Sequence, residues 1–307
     1  MIFIGENIHI LSKRIKEALI NRDENFIINL INQLDNTEYL DLNVGPSKGE
    51  LAGTLKWLCG LVKKVRNNEK ISIDTTNIDE IKMALNVIAS KSDIFLNSTS
   101  NDEPKLSNMI ELARDNNCKL IALTMSKESG VPKTADERLE IAFEIYERAV
   151  SLGMDTANLF FDPLILPIAA DQAQATQAIN TIKMLKESFD SPIKTIVGIS
   201  NISNGCPGEL RPLINKVMSV LCYGAGLDAI IADAEDSELI MTLKNLESNS
   251  LIKNNDNIYD KLVSMIENFE DIEEVKFNIH DSNDKKIIET AKMLLGKIVY
   301  STSFLNI

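Results

Sequence analysis

Seven polar residues stand near the downstream ends of six apolar runs. They are Asp41 and Asn43 in YLDLNV, Asp74 in ISIDT, Asn97 in DIFLNS, Asp162 in NLFFDPLI, Asn201 just after TIVGIS and Asp233 in AIIAD. Strands buried on both faces read as near-continuous apolar runs, so carboxylates and amides gathered at one end are exceptions that need a reason. A ring of such groups holds a ligand edge that donates several N–H groups, for instance a 2-amino-4-oxopyrimidine. A carboxylate can accept two parallel N–H bonds, and amides read the remaining donors and acceptors. The stretch VGISNISNGCP adds Ser200, Ser203 and Asn204 beside Asn201, with nothing that titrates near neutrality. The group facing it is held by hydrogen bonds and is not attacked by the chain. Each Asp or Asn taken singly also reads as a helix cap, Asp233 before AEDSELI most of all. Paired carboxylates occur in glycoside hydrolysis too, but sugar-stacking aromatics are few here. The single tryptophan, Trp57, falls in the second expected helix. His9 lies near the end of the first strand, within reach of the same mouth, whereas His280 sits in a polar segment and reads as solvated.

Bringing these residues together requires strands that all end on one face. The strand candidates are 2–5, 39–44, 71–75, 93–98, 120–125, 158–165, 195–200 and 229–233, with amphipathic stretches between them. IKEALINRDENFIINLINQL, NIDEIKMALNVIA and TADERLEIAFEIYERAV carry apolar residues at helical spacing. Asn77 is a natural cap for the second stretch and Thr134 or Asp136 for the third. Eight strand-then-helix units predict a (β/α)8 TIM barrel, in which the strand ends meet at one catalytic face. A doubly wound sheet is the alternative, but no glycine-rich phosphate loop follows the first strand. The GAG at 224–226 precedes a strand and reads as a turn. Residues 247–286 are polar, acidic and rich in asparagine. They read as a partly helical insertion in the last helical layer of a single 1–307 domain, with Leu262, Met265, Ile266 and Phe269 on one helix face.

The chain has 307 residues, 44% of them hydrophobic, and a net charge of −13. That is enough apolar material for a barrel-sized core and disfavours nucleic-acid binding, which needs a basic surface. Four cysteines without a C-x-x-C pair, and two histidines, argue against a zinc site or a disulfide framework. MIFIGENIHI lacks the basic start of a signal peptide and is broken by Glu6. No run reaches the roughly 18 apolar residues of a membrane helix.

Read in order, IGENIH, LDLNVGP, IDTTN, LNSTS, FDPLILP, GISNISNG, RPLIN and GLDAIIAD resemble the methyltetrahydrofolate:corrinoid methyltransferases. The resemblance runs over residues 1–246 and resumes near Ile287. These are pterin-binding barrels related to dihydropteroate synthase and the folate module of methionine synthase. Dihydropteroate synthase itself is disfavoured because its early Ser-Phe-Ser-Asp-Gly-type loop and Lys-rich seventh strand end are absent. The resemblance implies that Asp74, Asn97 and Asp162 hydrogen-bond the pterin ring, that Asn201 contacts N5, and that Asp41 supports that network. Gly198, Asn204, Arg211 and Ile231 match positions near the ligand. Asn204 stands where some members have glutamine, and NGCPGELRP is longer before its Arg-Pro than in those members. The implied substrate is methyltetrahydrofolate or tetrahydrofolate, and archaeal relatives use a modified pterin that the same residues would accept. Also implied are a cobalamin (corrinoid) carried by a partner protein and a homodimer, while the cysteine usage itself predicts a cytoplasmic setting and no metal held by the chain. The methyl group would move to the corrinoid, or back to tetrahydrofolate in a demethylase pathway. A non-enzymatic pterin-binding protein is the remaining reading.

Overall fold

The eight apolar runs pair in chain order and close on themselves, the last beside the first. In this computed structural model, which describes residues 1–66, 70–189, 193–249 and 257–305, the strands are β1 (Ile2–His9), β2 (Tyr39–Asn43), β3 (Ile71–Asp74), β4 (Ile94–Thr99), β5 (Lys119–Leu123), β6 (Leu159–Asp162), β7 (Lys194–Gly198) and β8 (Ala229–Ala232). Every pairing is parallel, so all the downstream ends share one face. The architecture is the TIM barrel expected from the strand-helix alternation.

Period-two alternation decides what fills the barrel. Ile4, Tyr39, Phe95, Ile121, Phe160, Ile196, Ala229 and Ile231 pack together inside it. Phe95 meets Tyr39 and Phe160 edge-on, at centroid distances of 5.1 and 4.8 Å. Two residues downstream of these anchors, in the same inward phase, come Glu6, Asp41, Asn97, Asp162, Gly198 and Asp233. The barrel therefore has an aromatic floor and a polar upper layer, and one alternation rule produces both.

The outer layer comprises α1 (Lys13–Ile20), α2 (Glu24–Gln33), α3 (Thr54–Arg66), α4 (Ile78–Leu85), α5 (Lys105–Asn116), α6 (Ala135–Ser151), α7 (Ala173–Ser188), α8 (Arg211–Gly224), α9 (Ser237–Asn249), α10 (Ile258–Glu267) and α11 (Ser282–Leu294). Asn77 caps α4 as expected, accepting from the Asp79 and Glu80 amides. Thr134, rather than Asp136, caps α6 in a reciprocal pair with Glu137. The stretch between β1 and β2 is two helices instead of one. Arg22 takes a positive φ of 53° and Asp23 caps a fresh helix by accepting from the Phe26 amide, so Trp57 lies in the third helix.

β1 runs four residues past its apolar stretch, to His9, whereas β2, β3, β5, β6, β7 and β8 end one to three residues earlier than the apolar pattern implies. β6 stops at Asp162 because Pro163 brings no N–H to the ladder and Leu164 turns back with φ 65°. β7 stops at Gly198, where the chain coils into a 3-10 turn, Ile199–Ser203. In the 247–286 segment, residues 250–256 lie outside the described residues. Its helix α10 buries Leu262, Met265 and Ile266 in the cluster that also holds α8 residues such as Leu221. The approach to α8 is close: a Cβ on Gly224 would meet Val263 O at 3.0 Å. Phe269 does not share that buried face. It follows the helix end, is 72% exposed, and lies under the Lys183 ammonium, 3.3 Å from the ring centroid. His280 is exposed.

Candidate functional site

The downstream ends of the strands enclose a cavity of about 620 Å³. Its lining includes all nine residues that the family resemblance implies, Asp41, Asp74, Asn97, Asp162, Gly198, Asn201, Asn204, Arg211 and Ile231, together with Asn43 and Asp233 of the polar ring. The nine come from β2, β3, β4, β6, β7 and β8, the turn after β7 and the start of α8, so no local segment of the chain contains the site.

The deepest groups are carboxylates. Asp41 and Asp74 stand on neighbouring strands, where Asn43 pairs with Asp74 in register. Burial holds the Asp41 carboxyl well above the usual carboxylate range, and the nearby Asp74 charge adds to that. Burial also pushes Asp74 up to about 6, against a hydrogen bond from Asn43. The amides orient this pair: Asn43 Nδ2 donates to Asp74 Oδ2 at 2.5 Å and Asn97 Nδ2 to Asp41 Oδ1 at 3.1 Å. Asn43 Oδ1 accepts in turn from the Gly45 amide at 3.1 Å, which fixes the side chain at both ends.

Across the cavity, burial pushes Asp162 to about 7, opposed by the Leu164 amide and the Arg138 charge. Leu164 N donates to Asp162 Oδ1 at 2.7 Å. A buried carboxyl that titrates near neutrality and already has one amide donor has lone pairs left for a ligand's N–H groups.

The rim is built differently. Asn201 is exposed, and a Cβ on Gly198 would sit 3.4 Å from its Nδ2, so glycine there leaves the amide room. Asn204 Nδ2 donates to Asn201 Oδ1, and Arg211 donates through Nη2 to Asn204 Oδ1 and through Nε to Ser203 Oγ, at 3.2–3.4 Å. A cation thus orients a chain of two amides that ends at the open cavity.

Sequence reasoning left out Glu6 and Asn7 as site residues; they line the cavity together with Ser200 of the amide-rich stretch, Asn43 of the polar ring and His9 near the mouth. Ser200 Oγ donates to Glu6, tying the turn that carries Asn201 to β1. Burial raises the Glu6 carboxyl, and that hydrogen bond opposes the shift. Asn7 Nδ2 donates to Asp233 Oδ1 at 2.5 Å. Asp233 also accepts from the Glu235 amide at 2.9 Å, a local turn bond rather than the expected helix cap: Asp236 caps α9 by accepting from the Leu239 amide at 3.0 Å. The missed signal was phase, because Glu6 follows inward-facing Ile4 by two. Asn7 and His9 depend on an irregularity in β1 between Gly5 and Ile8, which the residue pattern does not encode.

A family model described as "Pterin binding enzyme" matches residues 38–233, from the start of β2 to the end of β8. The chain belongs to the pterin-binding enzyme family. Methionine synthase of Mycobacterium leprae is 27% identical over 233 residues, covering 73% of this chain and 19% of that protein. The Mycobacterium tuberculosis methionine synthase is 26% identical over 232 residues, with the same coverage. The chain thus spans about a fifth of the length of these relatives. Among solved structures, Yersinia pestis dihydropteroate synthase with a pterine-sulfa conjugate superposes with TM-score 0.54 at 16% identity, over 80% of this chain and 94% of that one. Coxiella burnetii dihydropteroate synthase with pteroic acid gives TM-score 0.57 at 14% identity, over 80% and 92%. These superpositions establish a shared barrel. Their identity is too low to carry function.

Proposed function

We propose that this chain is a methyltransferase that moves the N5-methyl group of methyltetrahydrofolate to or from the cobalt of a separate corrinoid protein, as a cytoplasmic homodimer. The observation that carries the reading is the division of the cavity into deep carboxylates and a rim of neutral amides. Asp162, Asp74 and Asn97 suit the 2-amino and ring N–H groups of a pterin, with Asp41 behind them. Asn201 then faces the N5 side of the ring. As the N5–methyl bond breaks and the methyl leaves to its acceptor, N5 takes up a proton from solvent at the open cavity, and Asn201 Oδ1 accepts that N5–H bond, which the methylated amine cannot offer. An interaction stronger in the transition state than in the ground state is the kind that raises a rate. Among the described residues, no lysine and no thiol lines the cavity. That favours a methyl acceptor supplied from outside the chain over one built into it.

The corrinoid, when bound by its own protein, supplies the cobalt centre that accepts or returns the methyl group. The cavity suits such a visitor because it opens at the strand ends, where Leu11 stands on its rim with 88% of its surface exposed. The test mixes the protein with methyltetrahydrofolate and chemically reduced free cobalamin without oxygen. Conversion of the cob(I) spectrum to methylcobalamin is expected. Pterin binding without conversion would leave only the binding-protein reading, and no pterin binding would remove both.

A further inference from the structure

Arg138 is the bulkiest fully buried side chain of the barrel wall, with 0% exposure. Among the described residues its guanidinium forms no ion pair by direct contact. Nε donates to Pro132 O at 3.1 Å, Nη1 to Leu164 O at 3.4 Å, and Nη2 to Gln174 Oε1. Gln174, itself 5% exposed, donates onward to Lys133 O and Asp171 Oδ2 at 3.2 and 3.3 Å. The cation on α6 therefore ties the loop before α6 to the loop after β6. Leu164 has a backbone conformation that L residues seldom adopt, and its amide is the one that holds Asp162 Oδ1. One peptide turn thus carries the Asp162 carboxylate at one end and the Arg138 guanidinium at the other. Burying a charge without a counter-charge is costly, and Asp162 is the anion that acts most strongly on Arg138, ahead of Glu137.

We propose that Arg138 is a positioning residue for the candidate site: from outside the cavity it holds the Asp162–Leu164 turn and keeps Asp162 an anionic acceptor for a ligand's N–H groups. Its consequence for ligand binding rests on the pterin reading above; its action on Asp162 does not. The other groups facing Asp162 are the Leu164 amide and the buried Cys222 thiol of α8, itself raised by burial and then by Asp162. Asp41, Asp74, Glu6 and Asp233 line the same cavity from their own strands. Asp162 titrates at about 7 with Arg138 pulling it down, so loss of the cation moves it upward.

The experiment follows the carboxyl carbon of Asp162 by NMR in the full ligand-free chain across pH 5–9, in wild type, Arg138→Met and Arg138→Lys, with circular dichroism to verify folding. The midpoint should rise in Arg138→Met and stay near wild type in Arg138→Lys. An unchanged midpoint in folded Arg138→Met overturns the proposal. If that variant does not fold, the double variant R138M/Q174M, which leaves no orphaned amide, carries the same two outcomes. For methyltetrahydrofolate binding, a one-unit rise from about 7 weakens affinity roughly fivefold at pH 7 and hardly at pH 9. Equal weakening at both pH values would mean a structural defect only, against the proposal. If wild type binds no pterin, the functional reading fails while the carboxyl titration still decides the role of Arg138.

Discussion

Replacing Asp162 by asparagine should make the ligand-free protein more stable above neutral pH while weakening the site. The native carboxyl titrates at about 7 instead of 3.8, a difference of roughly three units, worth about 4 kcal/mol at 1.36 kcal/mol per unit. The sign follows from proton binding. The folded state holds its proton more tightly than the unfolded chain, so the penalty is absent below about pH 4, where both states are protonated. It grows through the interval between the two values and is complete above about pH 8. Asparagine keeps an oxygen for the Leu164 amide and carries no charge to desolvate. With unfolding entropy of about 2.1 cal/mol/K per residue, 2–4 kcal/mol raises the melting temperature of a 307-residue chain by roughly 3–6 °C. Scanning calorimetry on wild type and Asp162→Asn at pH 4.5 and pH 8.5 reads this directly. A gain roughly four times larger at the higher pH is expected. A gain of the same size at both, or a loss at pH 8.5, would refute the claim that burial of this charge is what strains the site.

Asn201→Ala should lower kcat for methyl transfer by about 10²–10³ and change the dissociation constant for methyltetrahydrofolate only slightly; stopped-flow transfer and equilibrium titration separate the two, and equal losses would remove Asn201 from the transition state. Glu6→Ala should also slow transfer by freeing Ser200 and the turn behind Asn201. Glu6→Gln, whose amide oxygen still accepts from Ser200, should restore most of the rate in the same assay.

Most of the barrel was legible because burial on both faces leaves little freedom in strand composition. The apolar runs place all eight strands but not their ends: β1 continues past its run to His9, and the largest overshoot, at β6, occurs where Pro163 ends the ladder before hydrophobicity does. The site was legible for a related reason. Asp41, Asn97 and Asp162 interrupt apolar runs in the inward phase, which a strand cannot accommodate unless a cavity lies above it. Three features were not legible. The break between α1 and α2 comes at Asn-Arg-Asp, without the glycine or proline that usually marks one. Glu6 reads as an interruption in a short apolar run until Ile4 is known to face inward. Arg138 sits in TADERLEIAFEIYERAV among residues typical of a solvated helix face, and only the packing of α6 against the loop after β6 reveals that it is buried.

The depth ordering of the polar groups has a physical cause that joins stability to recognition. Carboxylates at the bottom of the cavity are desolvated, so each competes with its own proton: Asp74 at about 6, Asp162 at about 7, and Asp41 higher than the usual range. A ligand edge rich in N–H groups offers them the hydrogen bonds that water no longer supplies, and it does so best when they are anionic. On the proposed reading, ligand binding by these carboxylates is set against their protonation, and the cost of burying them is offset when such an edge is bound. Amides do not titrate, so the rim formed by Asn201 and Asn204 keeps the same hydrogen-bonding pattern while the floor gains or loses protons. Arg211, tied to Ser203 and Asn204, orients that rim. Recognition below and orientation above are in this way governed by groups with different pH behaviour, although one barrel face carries both.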